Sequence, residues 1–127
     1  MNSKQKGKRG ELEAVHFLNE LGFQTRRTAQ YCGNTGEAAD VTGIEGLHIE
    51  VKRCEAVHFK EWTHQAERDC GGKIPVVMTR QNGEPWRVIL RAEDFFKMWR
   101  EYEIDRRRQF EDEASGSDKT SIRLGDH

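Results

Sequence analysis

Leu47-His48-Ile49-Glu50-Val51-Lys52 is the stretch on which the reading of this chain turns. Leu47, Ile49 and Val51 alternate with polar residues, the two-residue period of a strand with one buried face. Side chains at i and i+2 stand on the same face, roughly 7 Å apart along the strand. Glu50 and Lys52 are therefore presented together, opposite the aliphatic side chains. Upstream, Asp40 lies in Ala39-Asp40-Val41-Thr42-Gly43, ahead of a short link from Gly43 to Gly46. If the chain reverses there, Asp40 and Glu50 meet on neighbouring strands. Two carboxylates facing one point suit a hard cation such as Mg²⁺. An ammonium beside them is placed to handle a water molecule or a phosphate oxygen, and the set is equipment for metal-assisted phosphodiester hydrolysis. The same residues also fit a plainer picture, a solvated ribbon face with cross-strand ion pairs. With 34% of the chain charged, an E-x-K triplet alone carries no weight.

A third carboxylate points the same way. The sequence predicts a helix over residues 6–21, with Leu12, Ala14, Val15, Phe17, Leu18 and Leu21 as its apolar set and Gly22 as its stop. At about 100° per residue, Ala14, Leu18 and Leu21 bunch near one direction, and Glu11 falls inside that arc. A carboxylate on the core side of a helix is costly unless something receives it, either a cation or a buried hydrogen-bond network. The alternative is a charge favourably placed near the positive end of the helix.

Outward from these segments, residues 23–28 read as a short strand. Residues 30–37 read as a loop rich in glycine and asparagine, placed at the rim of the site. Strands are expected around 40–44 and 47–54. A helix over 58–70 follows, with Trp62, Ala66 and Cys70 facing the core and Gln65 on another side. Strands over 75–79 and 86–90 flank an Asn82-Gly83 turn. A last helix begins at Ala92 and carries Phe95, Phe96, Met98, Trp99 and Tyr102; packing on its own sheet is the default expectation, and packing on a second subunit is the alternative. The expected domain spans residues 1–110, with a polar, disordered tail over 111–127. The order α-β-β-β-α-β-β-α implies a mixed sheet flanked by helices, an α/β fold.

At 127 residues the chain is expected to form one domain with a modest core. No apolar run approaches a membrane span and no secretory pattern opens the chain, so a cytosolic protein is expected. Three widely spaced cysteines, Cys32, Cys54 and Cys70, argue against both a disulfide framework and a zinc site. The net charge of -1 does not advertise nucleic-acid binding, but the distribution is uneven. Lys4, Lys6, Lys8 and Arg9 cluster at the start, Arg26 and Arg27 follow the first helix, and Lys52, Arg53 and Lys60 surround the acidic residues. Much of the compensating acid falls after residue 100. A basic face of this kind can grip phosphates; an evenly mixed surface is the alternative.

Helix-borne Glu11, then Asp40, then Glu50-Val51-Lys52, in this element order, resembles the PD-(D/E)xK nuclease superfamily. More narrowly, Lys6-Gly7-Lys8-Arg9-Gly10-Glu11-Leu12-Glu13 and Leu21-Gly22-Phe23, followed by Arg27-Thr28, resemble the archaeal-type Holliday junction resolvases. The stretch from Gln65 to Val77 is similar to phage relatives of those enzymes. The resemblance spans roughly residues 5–100. It implies a restriction-endonuclease-like mixed sheet of about five strands and a structure-selective DNA endonuclease acting on four-way junctions. It implies Asp40 and Glu50 as metal-binding carboxylates, completed by the Val51 carbonyl, with Glu11 reaching the metal through water. Lys52 would be the catalytic lysine and Gln65 the glutamine of the following helix. Mg²⁺, with Mn²⁺ as a substitute, is the implied cofactor. Lys4, Lys6, Lys8, Arg9, Arg26, Arg27, Thr28 and Arg53 would contact DNA. Two symmetric cuts imply a homodimer and a place in DNA recombination. Ala39 stands where the motif has proline, Thr28 replaces a serine, and the loop over 30–37 is longer than in the archaeal enzymes. Two further readings are a superfamily nuclease acting on flaps, ends or duplex DNA, and a catalytically inactive DNA-binding relative.

Overall fold

The computed structural model describes residues 3–28 and 39–115, with side chains from residue 5 onward. The loop expected over 30–37, Cys32 and residues 116–127 lie outside the described residues. Eight elements follow in the expected order. They are α1 (Ser3–Glu20), β1 (Arg26–Arg27), β2 (Val41–Thr42), β3 (Leu47–Arg53), α2 (Phe59–Asp69), β4 (Ile74–Arg80), β5 (Arg87–Ile89) and α3 (Ala92–Ala114). The strands form one five-stranded sheet in the order β1-β2-β3-β4-β5. β3 and β4 run parallel and every other neighbouring pair is antiparallel. A parallel pair needs a crossover, which α2 supplies.

Register sorts the side chains of β3 and β4 into two faces. Ile49 lies opposite Val76 and Val51 opposite Met78; with Val41 these bury against Ala14, Val15 and Leu18 of α1. Glu50 lies opposite Val77, and Val77 packs with Trp62 and Ala66 of α2. The polar face of β3 is thus roofed by a helix, where the plainer sequence reading left it to solvent.

The first predicted strand shortens to two residues for a local reason. Asn19 Oδ1 accepts the backbone N–H of Thr25 at 2.7 Å and its hydroxyl at 2.8 Å, taking Thr25 out of any ladder. Leu21 leaves the expected apolar set: the helix ends at Glu20, Gly22 turns with φ 106°, and Phe23 N–H returns to the Leu18 carbonyl at 3.2 Å. This left-handed stop leaves Leu21 61% exposed. In the β2–β3 link, Gly43 has φ +122°, and a Cβ there would stand 2.3 Å from the Gln24 carbonyl oxygen, so no other residue fits.

The chain divides into two units, Met1–Arg91 and Ala92–His127. In the second, α3 runs past the expected end at Phe110 to Ala114 and buries none of its residues. Its aromatic side chains meet along the helix, with Phe95 stacked on Trp99 at 6.3 Å between ring centres. Among the described residues no helix is long and apolar enough to cross a membrane.

Two glycines of α1 test how closely the helix lies on the sheet. A Cβ at Gly10 would stand 2.6 Å from Arg53 Cβ, whereas one at Gly7 would meet nothing within 4 Å. Gly→Ala inside a helix normally stabilises by about 1 kcal/mol, and we expect that gain for Gly7→Ala. Gly10→Ala is expected to reverse sign and cost about 1–3 kcal/mol through overpacking. Thermal or urea denaturation of the two variants checks the opposite signs.

Candidate active site

β2 and β3 pair at a single couple, Val41 with Ile49. Asp40 N–H donates to the Ile49 carbonyl at 2.9 Å. Farther along β3 the Asp40 side chain takes the strand edge: Oδ2 accepts the Val51 N–H at 2.8 Å. The N–H and C=O of one strand residue project to the same edge, so the Val51 carbonyl also faces the Asp40 side. A two-residue β2 and a glycine-built return thus bring an aspartate to the strand that carries Glu50.

Glu50 is 3% exposed. Its Oε2 lies 2.7 Å from His48 Nε2 on the same strand face. Burial, then the charge and hydrogen bond of Asp40, push its carboxyl up to about 8, with the Lys52 ammonium pulling the other way. Glu11 projects from the buried side of α1, between Ala14 and the chain start, and accepts Arg27 Nε at 2.9 Å. Burial holds its carboxyl above the ordinary value; Arg27 opposes the rise and Asp40 adds to it. Asp40 is thus the common neighbour of both glutamates. Lys52 shares the face of Glu50, and its Nζ donates to Oε1 of Gln65 on α2 at 3.0 Å.

Among the described residues no three His, Cys, Asp or Glu side chains form a cage by themselves. The donor set at this corner is two carboxylates and a main-chain carbonyl, all oxygen. It fits a small hard cation that keeps several of its waters, and a cation would relieve the crowding that raises the Glu50 carboxyl.

The basic residues divide into two groups. Lys6, Lys8 and Arg9 are exposed on α1 and Arg26 is exposed on β1. Lys4 has no described side chain. Arg27 is held by Glu11. Thr28 has a buried hydroxyl with no partner among the described residues. Arg53 donates to Glu13 at 2.9 Å, to the Arg80 carbonyl at 3.2 Å and to Asn82 at 3.1 Å, and Arg80 also pairs with Glu13. That cluster ties α1 to the ends of β3 and β4, a structural duty for Arg53 that its sequence position did not signal. His48 was also missed: the period that put Glu50 and Lys52 on one face puts His48 there too.

The raised carboxyl of Glu50 has a thermodynamic consequence. Between the ordinary value of 4.5 and about 8, the folded protein keeps a proton that the unfolded chain releases. Stability without a divalent ion therefore falls as pH rises through that window. Glu50→Gln, which keeps an acceptor for His48, is expected to flatten the fall and to raise the melting point at pH about 8 in chelator, with little change at pH about 4. Thermal melts of both proteins across that range check it.

A family described as "Phage putative PDDEXK endonuclease" matches residues 2–121. A solved structure, Hjc, a Holliday junction resolvase from the archaeal hyperthermophile Archaeoglobus fulgidus, is similar to this chain with a TM-score of 0.51 and 22% identity. The likeness covers 66% of this chain and 76% of that one, and it shows a shared fold. No curated protein matches the sequence. With the family match running over nearly the whole length, and with an acidic corner and lysine on the expected strand, the chain belongs to the phage PDDEXK endonuclease family.

Proposed function

We propose that this protein is a Mg²⁺-dependent, structure-selective DNA endonuclease that cuts four-way junctions as a homodimer. The observation that carries the reading is the Asp40 side chain anchored on the Val51 N–H beside Glu50, with Glu11 as a second glutamate next to Asp40 and Lys52 bonded to Gln65. In this reading Asp40, Glu50 and the Val51 carbonyl hold the cation, and Mn²⁺ can replace Mg²⁺. When bound, such an ion polarises a phosphoryl oxygen and acidifies its water.

The chain's own groups do the rest. Lys52, oriented by its bond to Gln65, stands toward the scissile phosphate and stabilises charge that develops on its oxygens. Glu11, kept in place by Arg27, adds a carboxylate at the water side of the corner. Lys6, Lys8, Arg9 and Arg26 line up as phosphate contacts, which position DNA without reading its sequence. Lys4, Arg27, Thr28 and Arg53 complete the proposed DNA-facing set; the bonds of Arg27 and Arg53 make their contribution one of holding the basic surface in shape. A resolvase makes paired, symmetric cuts, and a two-fold dimer provides them.

Asp40→Asn keeps an oxygen for the Val51 N–H and removes the charge. We expect cleavage to drop about a hundredfold or more, the scale of losing one electrostatic group in an active site, with folding and DNA binding retained. Unchanged cutting would exclude this corner as the catalytic site. Substrate class is checked by incubating the protein and Mg²⁺ with a four-way junction and a linear duplex of matched sequence. Preferential, paired cutting of the junction is expected; equal cutting of both identifies a nuclease for duplex, flaps or ends instead.

A further inference from the structure

We propose that His48 is a positioning residue for the acidic corner: its Nε2–H holds Oε2 of Glu50, so that Glu50 offers a cation its other oxygen. The inference rests on the reading of Asp40 and Glu50 as cation ligands.

The geometry is specific. His48 and Glu50 stand two residues apart on one face of β3, 2.7 Å apart between Nε2 and Oε2, with each side chain only 4% exposed. In β4, Pro75 lies opposite His48 and Val77 opposite Glu50. Trp62 and Ala66 of α2 roof this face. Water therefore has little access to Oε2, and a buried polar atom without a partner is costly. An ionised carboxylate can only accept hydrogen bonds. Once Glu50 is a ligand, the ring nitrogen facing it must carry the proton, which sets the tautomer of His48. A carboxylate free to rotate can ligate through one oxygen or both; one oxygen pinned by a ring built into the same strand leaves a single mode. Outer partners of this kind are worth 10–100-fold in metal affinity or activity (order of magnitude).

His48 also borders a cavity of about 540 Å³ shared with Asp69, Cys70 and Lys73, which gives a replacement ring room to settle. The test uses the full chain as wild type, His48→Phe, which keeps a ring without a donor, and His48→Gln, whose amide N–H reaches the same place. Mn²⁺ binding to each chelator-treated protein is measured by calorimetry beside thermal melts. His48→Phe is expected to bind at least about tenfold more weakly, and His48→Gln to recover most of the loss. Wild-type affinity in a folded His48→Phe, or equal weakness of the two variants, would overturn the proposal. A measurement on the unaltered protein stands apart from how the variants fold. Histidine ¹⁵N spectra of the Mg²⁺-loaded protein should place the proton on Nε2 of His48, and a bare Nε2 would also overturn it. If the wild type itself binds no Mn²⁺, the cation reading of Asp40 and Glu50 fails; tight wild-type binding with indifferent variants removes only the role of His48.

Discussion

Two carboxyl groups that would repel each other in water are held together at the edge of β3 beside the β2 pairing, and much of the first unit is arranged around that constraint. The backbone supplies the force. Asp40 N–H is bonded to the Ile49 carbonyl and its side chain to the Val51 N–H, so the aspartate is gripped at both ends. Glu50 lies between those two anchor points on the strand, facing α2. The result is a carboxyl held well above the ordinary range by burial and by its neighbour. In the proposed reading, a bound cation would relieve that local instability.

The surrounding elements act as supports with separable duties. α1 contributes the Glu11–Arg27 pair and lies close enough on β3 at Gly10 that any larger residue would force a shift there. α2 provides both the apolar roof over Glu50 and the glutamine that orients Lys52. At the far ends of β3 and β4, Glu13 joins Arg53 and Arg80 across 40 and 67 residues of sequence, closing the helix onto the sheet. These pairs are partly exposed, so their value lies in geometry shared among several partners more than in isolated Coulomb energy.

The placement of basic residues bears on how DNA is approached. Lys6 and Lys8 lie exposed on α1, whereas Arg27 and Arg53 spend their hydrogen bonds on the protein. Basic residues thus divide by neighbourhood. A guanidinium beside a half-buried carboxylate is recruited by it, as Arg27 is by Glu11 and Arg53 by Glu13.

Much was legible in order and period. The alternation through Leu47–Lys52 identified β3 and its two faces, the apolar spacing of α1 placed Glu11 on the buried side, and the glycines at 43 and 46 announced the return that brings Asp40 to Glu50. Local sequence carries these because strand period, helix period and positive-φ turns are properties of a few adjacent residues. What the tertiary structure decided was the surroundings of each side chain. That α2 covers the polar face of β3, that His48 thereby becomes a buried partner of Glu50, that Asn19 removes Thr25 from the ladder, and that Arg53 serves Glu13 and Asn82 all depend on contacts between distant segments. Burial and pairing are set by what packs opposite, and no window along the chain contains that information.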